Sequence, residues 1–305
     1  MAAKQKKEPS KRKKSDTKTA VIVLIIAVLG IALFMYFHKP KEKALPVKIT
    51  PVVKPVAKVV RKVVKPETVP IPKPVIQVPA GSAGKIAFVI DDWGYTTRNC
   101  KYLTEIKAPL AIAILPNLRR TQEVLKCSSL AGKTVMLHLP LEPFNNNDRY
   151  PDNYLITTRM KPDMVEKLIE DTLLKMPSVV GVNNHMGSKA LESKPLMKHV
   201  LRILKKHRLF FMDSMTSPHH SVGAEVAAEV GIPFAQRDVF LDNINTREAI
   251  LKQFDELRMK TKKGGYAIAI GHDRELTMKM LKEVIPILQA QGFEIVSVKD
   301  LLKFK

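Results

Sequence analysis

The chain has 305 residues, with 51 Lys+Arg against 29 Asp+Glu, 45% hydrophobic residues and two cysteines, which excludes wholesale disorder and a disulfide scaffold. The net charge of +22 suggests a nucleic-acid partner until it is located: residues 1–19 hold eight basic and two acidic side chains, and residues 38–84 hold ten and two. From Lys85 onward 33 basic groups face 25 acidic ones, too even a balance for a nucleic-acid-binding domain, so no nucleic acid is expected as partner.

Residues 1–19 read as a basic tail. Residues 20–37 (AVIVLIIAVLGIALFMYF) carry no charge and no proline, and at 1.5 Å per residue they extend about 27 Å, close to the thickness of a hydrocarbon core. The spacing predicts a transmembrane helix; a cleaved signal peptide would have a shorter apolar run and a small-x-small site, which His38-Lys39-Pro40 lacks. Basic residues follow the run as well as precede it, but the denser N-terminal cluster predicts a cytoplasmic N terminus. A single-pass inner (cytoplasmic) membrane protein with a periplasmic or extracellular domain is therefore expected. Residues 38–84 interleave nine prolines with Val and Lys, a composition that builds no core and favours extended polyproline II, with a reach of up to roughly 150 Å.

Residues 85–305 alternate short apolar runs with helical stretches. KIAFVIDD (85–92), LAIAILP (110–116), TVMLHLP (134–140), VVGVNNH (179–185), LFFMDS (209–214), PFAQRDVF (233–240), YAIAIGH (266–272) and EIVSV (294–298) read as strands. Helical patterns at 162–176, 195–207 and 246–261 separate several of them, which predicts an α/β domain with a parallel sheet covered by helices. Seven or eight such units suit a (β/α) barrel, of seven strands and incomplete, better than an open doubly wound sheet. No Gly-rich phosphate loop follows any strand. The two cysteines, Cys100 and Cys127, fit no redox or zinc spacing, and their spacing leaves open whether they pair.

Polar residues recur at the C-terminal ends of these strands: Asp91 and Asp92, Asn117, His138, Asn184 and His185, Asp213, Arg237 and Asp238, and His272. In a parallel barrel those ends converge on one face, where active sites are built. Ionisable groups gathered there are costly unless paired or bound to metal. His138, His185 and a carboxylate from Asp91-Asp92 have the composition of an open catalytic zinc site. Neighbouring strand residues point to opposite faces, so both aspartates reach one pocket only if the chain bends, which Gly94 permits. Trp93 and Tyr95 flank the bend and are expected to offer a stacking surface to a sugar or to pack at the barrel rim. The aperiodic stretch EPFNNNDRYPDNYLITT (142–158), with Tyr150 and Tyr154, reads as a substrate-facing flap. His219 and His220 read as exposed loop residues.

VIDDWGY (89–95), MLHLPLEP (136–143), GVNNHMGS (181–188), MDS (212–214), RDVFLDN (237–243) and IAIGH (268–272) together resemble the divergent polysaccharide deacetylase family, from about Lys85 to the C terminus. The resemblance implies a seven-stranded (β/α) barrel and metal-dependent N- or O-deacetylation, as in the related NodB-type enzymes. By the same resemblance Asp91 is the general base, Asp92 a metal ligand, and His272 the group assisting the leaving atom. The better-known branch supplies its histidine ligands as H-x-x-x-H, whereas here Lys189 stands four residues after His185; His138, ending a neighbouring strand, is the expected substitute.

The expected function is a hydrolase that uses a divalent metal ion, zinc, to remove acetyl groups from an envelope polysaccharide such as peptidoglycan, with Asp213 or Asp238, together with Arg237, orienting the reacting groups. Two other classes compete: a non-catalytic glycan-binding or scaffold barrel, motivated by Lys189 and the long Pro-rich tether, and a glycosidase using barrel carboxylates.

Overall fold

The computed structural model describes residues 83–145, 154–217 and 219–302. The chain divides into two units, Met1–Pro70 and Ile71–Lys305, and all described residues lie in the second. The basic tail at 1–19, the apolar run at 20–37 and nearly all of the Pro-rich stretch at 38–84 fall outside the described residues. No helix among the described residues is long and apolar enough to cross a membrane, so the single-pass inner-membrane placement is withdrawn.

Nine strands form one parallel sheet: β1 (Gly84–Trp93), β2 (Ala111–Ile114), β3 (Thr134–Leu141), β4 (Gly181–Met186), β5 (Phe210–Asp213), β6 (Phe234–Gln236), β7 (Val239–Phe240), β8 (Tyr266–His272) and β9 (Phe293–Ile295). Their order is β6-β5-β4-β3-β2-β1-β8-β7, with β9 added beside β1. The helices are α1 (Cys100–Glu105), α2 (Thr121–Leu130), α3 (Pro162–Lys175), α4 (Lys194–Lys206), α5 (Gly223–Val230), α6 (Arg247–Gly264) and α7 (Glu275–Ala290).

The expected seven-stranded barrel is refined at one place. The apolar run at 233–240 is not one strand: β6 pairs with β5 and β7 pairs with β8, at opposite ends of the strand order. Only Arg237 and Asp238 separate them. The Arg237 amide donates to Asp213 O (3.0 Å) and the Asp238 amide to Ile268 O (2.8 Å), so consecutive residues hold the two ends of the curled sheet. Asp238 Oδ2 also accepts from the Ile268 amide (2.8 Å). Counted round the curl, β6 and β7 together take one strand's place.

Side-chain alternation explains why the runs are apolar throughout. Ile86, Phe88 and Ile90 of β1 join the core beneath the helices, whereas Ala87 and Val89 face the interior of the curl. Ala111, Ala113, Met136, Phe210, Met212, Ala235, Ile268 and Ile270 fill that interior together with Val298 and Leu301 near the C terminus. It has little room: a Cβ on Gly181 would lie 2.2 Å from the Phe210 ring.

Cys100 in α1 and Cys127 in α2 form a disulfide across 27 residues, settling a pairing that their spacing left open. Closing a loop of that length restricts the unfolded chain by roughly 3–4 kcal/mol. Replacing both cysteines by serine is expected to lower the urea midpoint of unfolding by a corresponding amount, and an unchanged midpoint would show that the bridge contributes nothing to stability.

Candidate metal centre

The inward set of the alternation continues past the apolar interior to the C-terminal strand ends. On β1 it gives Asp91, on β3 His138, on β4 Asn183 and His185, after β6 Arg237, and on β8 His272. The register places His272 opposite Asp91 and Asn183 opposite His138. Asp92 belongs by alternation to the outward set. It reaches the same cavity because its backbone is left-handed, with φ of 63°, at a register shift between Ile90 and Trp93. The bend expected at Gly94 therefore begins two residues earlier, at Asp92 itself. Gly94 (φ 123°) then carries the chain close against Leu115 and Thr121.

The cavity holds about 400 Å³ and is lined by Asp91, Asp92, His138, Asn184, His185, Arg237 and His272, with Met186, Met215, Phe240 and Ile270 as apolar wall. Three atoms converge within it. Asp92 Oδ1 lies 3.2 Å from His138 Nε2 and 3.0 Å from His185 Nδ1, and the two nitrogens are 3.2 Å apart. Both are within reach of Oδ1, yet neither has the angle of a hydrogen bond, and Oδ1 is buried without a donor. Asp92, His138 and His185 are the group among the described residues that can hold a metal ion. Their mutual distances suit it: ligands about 2.0–2.1 Å from a tetrahedral zinc ion stand about 3.3 Å apart.

The neighbours prepare these atoms for a cation. Asn183 is fully buried; its amide nitrogen donates to Asp91 Oδ1 (2.8 Å) and Ser214 Oγ (3.1 Å). Its oxygen therefore faces His138 Nδ1 at 2.9 Å and accepts the ring proton, which leaves Nε2 as a lone pair aimed at Asp92. Burial opposes charge on His138, but Asp91 and Asp92 outweigh it and raise its pKa. The same negative field favours a metal. Burial would raise the Asp92 carboxyl, yet His138 and His185 hold it well below the ordinary carboxylate range. Asp91 is raised chiefly by burial, against the pull of His138 and His272.

His272 stands across the cavity with Nε2 3.9 Å from Asp92 Oδ2. Its Nδ1 faces Asp242 Oδ1 at 2.8 Å. Asp242 Oδ2 accepts from the His272 amide (2.9 Å) and from Thr277 Oγ1 (2.6 Å). Burial opposes protonation of His272, but Asp242 and then Asp92 and Asp91 raise its pKa.

Several expected residues stand elsewhere. Asp213 and Asp238 do not line the cavity. Asp213 lies in the outward set and accepts from the Met215 amide (2.7 Å) and from Ser221 Oγ, while Asp238 is bound at the seam. The carboxylate that meets the His272 ring is Asp242, from the quoted RDVFLDN stretch. Trp93 is fully buried in the helix-side core and offers no surface to a sugar. Tyr95 is exposed but lines no part of this cavity, and neither does Asn117. Asn184 borders the cavity while tying two loops, donating to Met186 O (2.7 Å) and Thr216 Oγ1 (3.0 Å) and accepting from the Ser214 amide (2.8 Å). Arg237 borders it too, its Nε donating to Ser214 O (2.7 Å) and its Nη2 to Met215 O (2.9 Å). Lys189 points away, to Glu142 Oε1 (2.7 Å). His219 and His220 are exposed, as expected. Of the flap at 142–158, residues 146–153 with Tyr150 lie outside the described residues.

The sequence model of a family described as divergent polysaccharide deacetylase matches residues 88–302. An uncharacterized protein of Escherichia coli, YibQ, is 30% identical over 203 residues, 67% of this chain and 63% of its own length. The match thus spans slightly under two thirds of that relative. An uncharacterized protein of Haemophilus influenzae is 30% identical over 198 residues, 65% of this chain and 70% of its own. Among solved structures, an uncharacterized protein of Agrobacterium tumefaciens has a TM-score of 0.68 at 21% identity, covering 73% of this chain and 90% of that one, a likeness of fold.

Asn183→Ala removes the acceptor that fixes the His138 tautomer. It is expected to weaken zinc binding by about 10- to 100-fold in a competitive chelator titration; unchanged affinity would show that the ring needs no such partner. A second expectation concerns Asp273, raised to about 6 chiefly by burial although Asn99 donates to it at 2.7 Å. The folded state therefore holds this proton more tightly than the unfolded one, and stability falls as pH rises from about 4 to about 6. Asp273→Asn should be more stable than the parent at pH 7, by up to about 3 kcal/mol, with the difference closing near pH 4. An equal difference at both pH values would contradict this.

Proposed function

This chain belongs to the divergent polysaccharide deacetylase family, and on that footing we propose that it is a metal-dependent hydrolase that removes acetyl groups from a polysaccharide, peptidoglycan being a candidate substrate. The observation that carries the reading is the convergence of the buried, donorless Asp92 Oδ1 with two imidazole nitrogens, flanked by Asp91 and His272. A divalent ion such as zinc, held by Asp92, His138 and His185, would polarise the acyl carbonyl and acidify a water molecule.

The remaining steps belong to side chains. Asp91, next to the ligand Asp92 and held by the Asn183 amide, accepts a proton from the attacking water as the water oxygen adds to the acyl carbon. Arg237, adjacent across the cavity, keeps positive charge near Asp91. As the bond from the acyl carbon to nitrogen or oxygen breaks, His272 Nε2 gives its proton to the departing atom, since an amine cannot leave as an anion. Asp242 holds the opposite ring nitrogen and stabilises the charged imidazole. The products are acetate and a free amine or hydroxyl on the sugar. The apolar wall of Met186, Met215, Phe240 and Ile270 suits the acyl methyl.

The two competing readings have less support. Lys189, which suggested a non-catalytic barrel, does not border the cavity and is bound to Glu142. A glycosidase needs carboxyl groups on opposite sides of a sugar bond, whereas Asp91 and Asp92 are neighbours on one strand end.

Asp92→Asn is expected to lose metal and acetate release together, because a neutral amide is the poorer ligand. Asp91→Asn should retain the metal while its rate falls by about 10²- to 10⁴-fold. Metal content and acetate release from an acetylated glycan, measured on the same preparations, check both. Unaffected rates in the two variants would refute the mechanism, and reversed phenotypes would exchange the roles.

A further inference from the structure

A second opening at the same end of the barrel takes no part in this chemistry. Of strands β1 to β8, each except β2 sends a residue from its C-terminal half or just past its end into the metal-centre cavity. After β2 the chain turns away at Asn117, whose φ is 57°. Asn117 lines instead two adjoining hollows of about 280 and 200 Å³. These share Asn117, Tyr154, Thr172 and Lys175, so they form one cleft between the end of β2, the first turn of α2 and the flank of α3.

The lining has the chemistry of sugar recognition. Tyr154 borders both hollows and supplies an aromatic surface. Gln122 and Asn117 contribute amides, and their geometry is held: Lys175 Nζ donates to Asn117 Oδ1 (3.0 Å) and Gln122 Nε2 to Lys175 O (2.9 Å). Lys167 is paired with Asp171 at 3.2 Å. Lys175 is held by a neutral amide, so the lining carries one positive charge beyond its single carboxylate, set among amide donors and acceptors. A neutral ring with both hydroxyl donors and acceptors meets complementary groups and an aromatic face.

We infer that this cleft is a remote subsite for a further sugar unit of the glycan whose acetyl group reacts at the metal centre; the inference rests on the deacetylase reading. Titration calorimetry of the full chain with N-acetylglucosamine oligomers of increasing length tests it. Affinity is expected to rise once the oligomer spans both places. Tyr154→Ala should weaken the longest oligomer about tenfold, the worth of one aromatic contact, while leaving the shortest oligomer and zinc binding unchanged. Lys175→Ala should act in the same direction. An affinity independent of length in the parent, or unchanged for the longest oligomer in both variants, would overturn the subsite. Acetate release on the same samples keeps the two readings apart. Tyr154-dependent binding without acetate release supports the subsite and refutes the deacetylase reading; acetate release without any effect of Tyr154 or Lys175 does the reverse.

Discussion

A β-strand sends neighbouring side chains to opposite faces, and the candidate centre exists because residue 92 departs from that rule. Asp91 reaches the interior by alternation alone. Asp92 reaches it only through a left-handed backbone at the register shift of β1, a conformation that costs free energy for any residue with a Cβ and that Asp tolerates better than most. Without that turn two imidazoles would face an empty corner. With it, a carboxylate oxygen and two imidazole nitrogens lie within 3.2 Å of one another, close enough for one cation to be shared among them. Met186 and Met215, which also border the cavity, have φ of 54° each, so strain gathers where the strands β4 and β5 give way to the loops of the site.

Around that corner the fold arranges support in layers. Asn183 connects two strand ends of the candidate centre, touching Asp91, His138 and Ser214 at once. Asp242 does the corresponding work for His272 and fixes it further through Thr277. The seam at Arg237 and Asp238 contributes mechanically: the amides that hold both ends of the curled sheet belong to the residues that bring Arg237 to the cavity. Closure of the barrel and placement of its positive charge are therefore one local event. The small interior residues, Ala87, Ala111, Ala113 and Gly181, let the strands curl tightly enough for their ends to meet.

Much of this was legible in the sequence, and what escaped has a physical reason. Continuous apolar runs gave the parallel strands with bounds close to those observed, since burial on both faces leaves no room for polar residues. The histidines at 138, 185 and 272 stood out because an ionisable group at the end of such a run needs a partner. Asn183 escaped notice beside Asn184: counting in twos from the interior-facing Gly181 singles it out, but only once the facing direction is known. Asp242 escaped because the break between β6 and β7 shifts the frame, and nothing local marks that break. Trp93 was open to two readings, a stacking surface or packing, because an aromatic beside such a pair is as readily a core residue; the register shift turns it beneath the helices. The Cys100–Cys127 bridge depends on how α1 and α2 lie together, which no spacing discloses. The inner-membrane placement rested on residues 20–37 alone, a stretch outside the described residues, and no described helix supports it.

The central claim is that Asp92, His138 and His185 together hold a divalent ion. Diffraction from crystals grown with zinc, recorded on both sides of the zinc absorption edge, tests it directly. The account predicts a single strong anomalous peak within bonding distance of Asp92 Oδ1, His138 Nε2 and His185 Nδ1. A fully occupied peak elsewhere, or density at this place that shows no anomalous signal, would contradict it.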